Sequence, residues 1–368
     1  MQKKINRVII SGGGTGGHIF PAIAIANQIK LENPDVAILF VGAEGKMEME
    51  KVPKAGYEIV ALPIVGLQRK LTLKNLALPF KLLKSLWLAR KIVKQFKPEV
   101  VIGVGGYASG PLLKMATSLK VPCLIQEQNS FPGKTNKLLS HSVQKICVAY
   151  DGLEKFFPKE KIHLTGNPVR LEVVQIENKK AEALSFFGLQ NNLPVVLLIG
   201  GSLGAKTLND SMESGFQELS DKNIQLIWQC GGYYSKALQE KYTGKLPKGI
   251  ILTDFIQRMD LAYAAADVVI SRAGAISVSE LCLIKKPLIL VPSPNVAEDH
   301  QTKNAMALVN KEAAILVKDS EARTHLIPQV IELLTDKGTC EKLAQNIAQL
   351  GKPNATKDIV ALLYDLVK

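Results

Sequence analysis

A strand that runs directly into a cluster of glycines occurs twice in this chain and limits its fold more than any other feature. The first copy, VIISGGGTGGH, spans residues 8–18, and the second, VVLLIGGSLGA, spans residues 195–205. In an open parallel sheet, glycines after a strand let the backbone turn tightly and approach a ligand closely. One copy in each half of the chain predicts two similar domains.

The rest of the chain supports this division, because short Val/Ile/Leu-rich runs alternate with helical patterns. This alternation is typical of parallel sheets covered by helices on both faces. The predicted strands are Arg7–Ser11, Val36–Val41, Glu58–Leu62, Val100–Val104, Cys123–Gln126, Lys145–Ala149, Pro194–Ile199, Ile224–Gln229, Ile250–Thr253, Val268–Ser271, Pro287–Val291 and Ala314–Val317. We expect an α/β protein with two Rossmann-like, doubly wound domains that face each other across a cleft holding the active site.

The boundary between the two domains is predicted from a polar stretch. The alternation stops between Pro168 and Asn192 and then restarts. At 368 residues the chain is also longer than a single core usually becomes. The sequence therefore predicts domains at residues 1–168 and 169–351.

Composition narrows the class of partner without choosing one. The formal net charge of +13 favours nucleic acid, an anionic membrane surface or phosphorylated substrates. Five cysteines are scattered singly with no CxxC, which argues against a zinc or disulfide framework. The apolar runs are too short for a membrane span or a secretory signal, so we expect a protein that stays in the cytoplasm.

One basic and apolar segment departs from the alternation. Residues 59–98 contain nine Lys or Arg and no acidic residue. Within the segment, an apolar stripe at helical spacing is formed by Leu82, Leu86, Ala89, Val93 and Phe96. An ordinary core-packed helix with a solvated basic face explains the helix about equally well. For the segment as a whole, attachment to an anionic membrane is favoured over RNA binding, because aromatic residues are sparse.

Several short stretches carry residue types suited to a nucleotide sugar. GVGGYASGP at 103–111 and IGGSLGA at 199–205 place glycines between a strand and a helix, where backbone N–H groups favour a diphosphate. Ser202 adds a hydroxyl donor, Glu280 can accept from both hydroxyls of a ribose, and Gln301 and Asn304 offer amides to a sugar. The sequence has neither an Asp-x-Asp pair nor a P-loop motif, so no metal site is predicted.

These stretches, taken in order, resemble the motifs of the MurG family of N-acetylglucosaminyltransferases. The matching stretches are GGTGGHIFPA, GVGGYASGP, QEQN, GNPVR, GGSLGA, SRAGAISVSE and EDHQTKNA. The resemblance runs from residue 5 to about residue 310, and it implies the two-domain GT-B fold, with the last helix, about 352–368, packed on the first domain. The first domain would bind acceptor and membrane, and the second would bind the UDP-sugar.

The resemblance also implies a reaction. N-acetylglucosamine would move from UDP-N-acetylglucosamine to the 4-hydroxyl of the muramyl sugar of lipid I, giving lipid II for peptidoglycan synthesis. The anomeric carbon would be inverted, with no cofactor and no essential metal. The implied location is the cytoplasmic face of the bacterial cell membrane, as a peripheral protein. Other cell-wall synthesis proteins are candidate partners, and nucleic acid is not.

Individual roles follow from the same resemblance. Glu280 would hold the ribose, Ile256 the uracil through its backbone, and Gln301 the transferred sugar. The full set of implied donor-binding residues is Thr15, Gly16, Gly17, Asn129, Arg170, Ser202, Ile256, Ile276, Ser277, Val278, Ser279, Glu280, Leu281 and Gln301. The residues implied for the acceptor diphosphate are Gly14, Gly105, Gly106 and Tyr107.

His18 is the predicted general base. An imidazole with an unperturbed pKa of about 6.5 can take a proton from a sugar hydroxyl near neutrality. The MurG family commonly has His-Glu-Gln-Asn where this chain has Gln126-Glu127-Gln128-Asn129. A mechanism that needs a second histidine at this position is therefore weakened.

Three alternatives stay open at this point. Gly12, Gly14 and Gly17 match the dinucleotide-binding spacing of an oxidoreductase, although only Glu44 is near the position of the usual acidic residue. A related glycosyltransferase could act on another lipid acceptor. A membrane protein that binds a nucleotide sugar without catalysis would also fit.

Overall fold

The computed structural model describes residues 4–64 and 78–367, which form two parallel sheets with helices between the strands. The strands are β1 (Arg7–Ser11), β2 (Ala37–Ala43), β3 (Glu58–Leu62), β4 (Val100–Gly103), β5 (Cys123–Glu127), β6 (Lys145–Val148), β7 (Ile162–Leu164), β8 (Val195–Ile199), β9 (Gln225–Gln229), β10 (Ile250–Thr253), β11 (Val268–Ser271), β12 (Leu288–Leu290) and β13 (Ile315–Leu316).

The helices follow the strands in nearly strict alternation. They are α1 (Gly16–Glu32), α2 (Glu48–Lys54), α3 (Leu78–Phe96), α4 (Ser109–Ser118), α5 (Lys134–Leu139), α6 (Leu171–Val174), α7 (Lys180–Phe187), α8 (Lys206–Asp221), α9 (Gly232–Tyr242), α10 (Met259–Ala265), α11 (Ala275–Ile284), α12 (His300–Val309), α13 (Ala322–Thr335), α14 (Lys337–Leu350) and α15 (Ala355–Tyr364).

Both sheets reverse their strand order beside the strand that carries the glycine turn. The first sheet runs β3-β2-β1-β4-β5-β6-β7 and the second runs β10-β9-β8-β11-β12-β13. The paired strands are parallel throughout, for example β1 with β2 and β4, and β8 with β9 and β11. In doubly wound sheets the ligand lies at this reversal, outside the carboxyl ends of the strands. The loops after β1 and β4 and after β8 and β11 are therefore the places to seek ligand sites.

The central strands are buried on both faces, which explains their uninterrupted apolar sequence. Val8 and Ile10 of β1 lie in one core cluster, whereas Ile9 lies in the cluster on the other side of the sheet. In the second sheet, Leu198 and Trp228 lie in a single cluster with residues of α8 and α13. Because side chains alternate along a strand, the apolar run Val8, Ile9 and Ile10 places side chains of β1 in two cores at once.

The chain divides into two compact units. One comprises residues up to Val169 together with those from Pro353 onward, and the other is Arg170–Lys352. The last helix, α15, buries Ile359, Val360 and Leu363 in the same core cluster as Val8. Asp365 also accepts an ion pair from Lys145 at 3.0 Å. The final residues therefore belong to the first unit.

The twelve predicted strands are all confirmed, with ends that match or differ by at most two residues. The parallel α/β architecture is confirmed with them. The short strand β7 was not predicted. Its three residues are only half-buried or exposed, and they pair with one neighbouring strand at the edge of the sheet. An edge strand of this length carries too little apolar pattern to be recognised.

The predicted stripe on α3 is only partly buried. Ala89 and Val93 lie in the core, and Leu86 and Phe96 are half-buried, but Leu82 is exposed. The stripe is therefore packed against the core at the carboxyl end of the helix and is exposed to solvent at the amino end. Residues 65–77 of the basic segment, including Arg69, Lys70 and Lys74, lie outside the described residues.

Candidate active site

The glycine loop after β1 is hydrogen-bonded to a buried carboxylate. Glu48, the first residue of α2, accepts from the Gly14 N–H at 2.8 Å and from the Ala43 N–H at 2.9 Å. A Cβ atom on Gly13 would overlap the Glu48 carboxyl group, so the loop needs glycine there. Gly14 has φ +83°, which also favours glycine. The contacts of the loop therefore favour glycine at both positions.

His18 lies in the first turn of α1, and its ring is anchored to this loop. The Nδ1 atom is 3.0 Å from the Gly13 carbonyl oxygen and 3.3 Å from Thr15 Oγ1. A carbonyl oxygen can only accept, so Nδ1 carries the proton in this contact. In the neutral ring, Nε2 is therefore the unprotonated nitrogen and has a lone pair for a substrate proton.

The loop after β4 closes against the same ring. A Cβ atom built on Gly105 would lie 2.6 Å from His18 Cδ2 and 2.8 Å from Nε2. One on Gly106 would lie 2.5 Å from the Gly13 oxygen. The Gly13 N–H donates to the Gly105 oxygen at 3.3 Å, which joins the two loops. Gly105 and Gly106 also have positive φ, at +97° and +93°. A side chain at either position is therefore disfavoured both by the close contacts and by the backbone conformation.

A second buried carboxylate, Glu127, lies at the end of β5. Its oxygens accept from Asn129 N and Nδ2 at 3.0 and 3.2 Å, from Gly133 N at 3.1 Å and from Asn136 Nδ2 at 2.9 Å. Neighbouring Gln128 donates to the Val104 oxygen at 2.9 Å. The loops after β1, β4 and β5 therefore form one connected cluster.

The pKa of His18 is lowered below its usual value of 6.5 because the ring is buried. The nearby Glu127 and Glu48 carboxylates and the Gly13 carbonyl oppose this effect but do not cancel it. The ring is consequently neutral at neutral pH. That is the state in which an imidazole can act as a base.

In the second unit, the glycine turn after β8 leaves a serine exposed. Ser202 lies on the surface, and its carbonyl accepts from the Gly232 N–H at 3.0 Å. The Gly204 N–H donates to the Gly201 oxygen at 2.9 Å, and a Cβ on Gly204 would collide with Cys230 and Tyr234. The turn is therefore packed tightly on its inner side, with the Ser202 side chain on the outside just before α8.

Glu280 is nearly buried on α11 and has two partners. Arg170 Nη2 lies 3.4 Å from one carboxylate oxygen, and the Tyr263 hydroxyl donates to the other at 3.5 Å. Burial raises the pKa of Glu280 above its usual value, and Arg170 opposes that rise. Both contacts are long, so a ligand that offers two hydroxyl donors could shorten or replace them.

Gln301, the second residue of α12, links two ligand-side loops. Its Oε1 accepts from the Ala273 N–H at 3.2 Å and from the Ser293 N–H at 2.8 Å. Because both partners are donors, the amide oxygen must face them and the NH₂ group must point the other way. The Gln301 NH₂ group donates no hydrogen bond to the described part of the chain.

The remaining predicted donor residues differ in how they could contact a ligand. Val278 and Leu281 are buried in the core, and Ser279 Oγ donates to the Ala275 oxygen at 3.0 Å. Ile256 is also buried. Val278, Leu281 and Ile256 could contact a ligand only through their backbone. Ile276 and Ser277, at the start of α11, are half-exposed.

Comparison with known proteins places the chain in a family. Residues 8–148 match the Glycosyltransferase family 28 N-terminal domain, and residues 195–361 match the Glycosyltransferase family 28 C-terminal domain. The crystal structure of Acinetobacter baumannii MurG matches with a TM-score of 0.80 and 31% identity, over 98% of this chain and 99% of that chain. The chain belongs to the MurG family.

Relatives of high identity carry one name, UDP-N-acetylglucosamine–N-acetylmuramyl-(pentapeptide) pyrophosphoryl-undecaprenol N-acetylglucosamine transferase. The Bacteroides fragilis protein (strain ATCC 25285) is 54% identical over 98% of this chain and 95% of its own length. The Flavobacterium psychrophilum protein is 55% identical over 98% of both. Membership in the MurG family therefore favours glycosyl transfer over the oxidoreductase alternative.

Gln126, where this chain departs from the MurG family motif, takes part in a buried network of amide side chains. Gln126 Nε2 donates to Asn167 Oδ1 at 2.8 Å, and Gln126 Oε1 accepts from Gln128 Nε2. Asn167 Nδ2 in turn donates to the Gln128 oxygen at 3.0 Å. The Gln126 side chain uses both its nitrogen and its oxygen to hold the end of β5 to the loop after β7, which is a structural use of the position.

The structure also adds residues that the sequence patterns did not identify. Glu48 touches the His18 loop but lies in an unremarkable acidic stretch, EGKMEMEK, with no motif. Tyr263, which contacts Glu280, lies on α10 among alanines. Glu127 lies inside QEQN, where its position after a strand was the available signal. Within residues 4–64 and 78–367, no group of His, Cys, Asp and Glu is arranged to hold a metal ion.

Proposed function

We propose that this protein transfers N-acetylglucosamine from UDP-N-acetylglucosamine to lipid I and thereby forms lipid II. The observation that carries the proposal is the identity of 54–55% over 98% of the chain with transferases named for this reaction. Because the aligned length leaves out only about 2% of the chain, it covers both glycine turns, His18, Glu280 and Gln301. The surroundings of these residues support the same chemistry.

The proposed chemical step begins at His18. The unprotonated Nε2 takes the proton of the acceptor 4-hydroxyl as that oxygen attacks the anomeric carbon of the donor sugar. The bond between this carbon and the diphosphate oxygen breaks, and UDP leaves with the electron pair. Attack opposite the leaving group inverts the anomeric centre. The Nδ1–H bond to the Gly13 oxygen supports this role because it fixes the tautomer that such a base needs.

The donor is proposed to bind on the second unit. The exposed Ser202 hydroxyl and the first N–H groups of α11 would contact the diphosphate, since helix amino ends favour anions. The Glu280 carboxylate would accept from the two ribose hydroxyls, and the Gln301 NH₂ group would donate to the transferred sugar. The orientation of Gln301 supports this role, because both loop N–H groups hold its oxygen. Contacts of Thr15, Gly16, Gly17 and Asn129 with the donor stay predictions.

The acceptor diphosphate is proposed to lie by the loop after β4. The Gly105 and Gly106 N–H groups make no hydrogen bond within the described part of the chain, and Tyr107 is exposed. The Gly14 N–H, in contrast, already donates to Glu48. Gly14 can therefore provide space for the acceptor but not a backbone donor. This narrows the proposed diphosphate contacts to Gly105, Gly106 and Tyr107.

Membrane docking is proposed to occur through the amino half of α3. Phe80, Leu83 and Trp87 are 76%, 65% and 62% exposed and share one face of the helix. Lysines 81, 84 and 91 are exposed beside them, and each could contribute about 1 kcal/mol at an anionic surface. Within the described residues, no helix has the length and apolarity needed to cross a membrane. We propose a peripheral protein on the cytoplasmic face of the cell membrane.

The reaction is tested by incubating the protein with labelled UDP-N-acetylglucosamine and a lipid I analogue, without added metal. We expect labelled lipid II, and His18→Ala should abolish turnover. UDP binding should stay within about 2-fold, because the proposed contacts of the UDP part, Ser202 and Glu280, lie in the other unit. A wild-type protein that binds UDP but transfers no sugar would refute the proposal. Near-normal turnover by H18A would remove His18 as the base.

Membrane docking is tested by liposome flotation with neutral and anionic vesicles. Trp87→Ser and Leu83→Ser together should abolish binding to anionic vesicles. Leu138→Ser is the matched control, because Leu138 is 81% exposed on another helix of the same unit. Equal binding of the wild type to both vesicle types would contradict the electrostatic part of the proposal.

A further inference from the structure

A single peptide group connects Glu48 to the general base. The N–H of the Gly13–Gly14 peptide donates to Glu48 Oε2 at 2.8 Å, and the carbonyl of the same peptide lies 3.0 Å from His18 Nδ1. The hydrogen bonds therefore run in series from the carboxylate through the peptide to the imidazole. Charge at one end of such a chain polarises the bonds that follow.

The Glu48 carboxylate is buried and makes no ion pair with any Lys or Arg of the described residues. Burying a carboxylate without a cation is unfavourable, and two backbone N–H groups offset that cost only in part. Glutamine, the neutral residue of the same shape, could accept from only one of these two N–H groups, so the carboxylate has a structural role. Its negative charge also acts on the groups that are joined to these N–H donors.

The structure places a second function on this charge. We propose that Glu48 is a positioning residue for catalysis, acting on His18 through the Gly13–Gly14 peptide. It holds the Gly13 oxygen against Nδ1, and it strengthens that oxygen as an acceptor when the ring becomes an imidazolium. This inference rests on the proposed role of His18 as the base, and it assigns Glu48 no contact with substrate.

Other charges that act on the ring must be separated from Glu48. Glu127 acts on His18 from the loop after β5 and raises its pKa, as Glu48 does, whereas burial lowers it. The four donors that surround the Glu127 carboxylate leave it tied to its own loop. Of these two carboxylates, Glu48 is the one linked to the ring through the peptide that binds Nδ1.

The test compares Glu48→Gln with the matched control Glu50→Gln. Glu50 lies on the same short helix, but it is exposed and pairs with Lys54 at 2.7 Å. In E48Q, one end of the amide is an NH₂ group, so either the Gly14 or the Ala43 N–H must lose its acceptor. Glu48→Asp keeps the charge but is one methylene too short to reach both N–H groups.

Two measurements are made on each full-length variant. The first is the NMR titration of the His18 ring, identified among the five histidines by its loss in H18A. The second is the pH profile of transfer, with kcat and KM for the donor measured separately. UDP binding and the signals of the other four histidines report whether the fold is kept.

For E48Q we expect the pKa of His18 to fall and kcat to drop about 10-fold or more, with the donor KM within about 2-fold, since a base is worth about 10²–10⁴ in rate. E50Q should match the wild type. If E48Q does not fold, E48D should lose kcat with an unchanged donor KM. Unchanged His18 titration in E48Q, or unchanged kcat in the folded variant, overturns the inference. If the wild type transfers no sugar, the proposed function fails, yet the titration still tests the link between Glu48 and His18.

Discussion

The contact between Gly105 and the His18 ring gives the sharpest prediction. In Gly105→Ala, the new methyl group would lie 2.6 Å from Cδ2 and 2.8 Å from Nε2 of the imidazole. Carbon and nitrogen atoms that do not bond keep about 3.5 Å or more between them. The ring must therefore rotate or move away, and its hydrogen bond to the Gly13 oxygen must break or lengthen.

The size of the effect has two parts. The φ value of +97° at Gly105 is unfavourable for alanine and costs on the order of 1–2 kcal/mol of stability. The displaced base should cost about 100-fold in kcat, at the low end of what general bases contribute, which is about 2.7 kcal/mol of transition-state stabilisation. The loss of kcat depends on displacement of the His18 ring, whereas the loss of stability depends only on the backbone conformation at Gly105.

Two control variants separate these parts. Gly45 also has positive φ, at +68°, but a Cβ atom there meets nothing within 4 Å. Gly110 lies on α4, where a Cβ atom would make an ordinary 3.6 Å contact with Thr135. G45A should lose stability in urea unfolding and keep its kcat. G110A should keep both.

The decisive assay is the rate of transfer at saturating donor and acceptor, together with UDP affinity to show that the second unit is intact. If G105A keeps kcat within about 3-fold of G45A, a value far below the range for a lost general base, the ring at this position is not the base. The reasoning from the His18 contacts would then be refuted.

Three further predictions concern single groups. The acid limb of the pH profile of kcat/KM should lie below pH 6.5, because burial lowers the pKa of His18 and the neutral ring is the active form; a limb above pH 7 would contradict this. UDP affinity, measured by calorimetry, should weaken on acidification and begin to do so at a pH above the usual range for glutamate. The reason is that burial raises the pKa of Glu280 and only the ionised carboxylate accepts from both ribose hydroxyls. If the affinity of E280Q for UDP fell with pH in the same way, Glu280 would not be the group responsible. Gln301→Glu keeps an oxygen for the Ala273 and Ser293 N–H groups but loses the NH₂ donor, so UDP-N-acetylglucosamine affinity should fall about 10-fold and UDP affinity much less. Equal losses for both ligands would count against a sugar contact.

The strands could be predicted because their physical cause is local. A strand buried on both faces needs an uninterrupted apolar run, and the sequence shows such runs directly: VII in β1, VVI in β4 and VVLLI in β8. β7 was not predicted, because an edge strand of three residues need not be apolar throughout. The amphipathic stripe of α3 was predicted as one face, but burial along it depends on which neighbours cover each turn.

The site was predictable where glycine or a special side chain follows a strand. His18, Glu280 and Gln301 were identified in this way, and their roles stay predictions. Glu48 and Tyr263 were not, because nothing in their neighbouring letters marks them. Each acts on a residue more than fifteen positions away in the chain.

The sequence by itself determined two parallel α/β units, the glycine turns and the identity of the residues that follow them. Those features depend on periodicity and on backbone freedom, both of which are properties of short stretches. Only the tertiary structure decided which nitrogen of His18 is free, which end of Gln301 faces a ligand, and that Gly14 has no N–H to offer an acceptor. Each depends on which hydrogen-bond partners the folded backbone brings within reach. For His18 the partner lies five residues away in the same loop, whereas for Gly14 and for one contact of Gln301 it lies about thirty residues away.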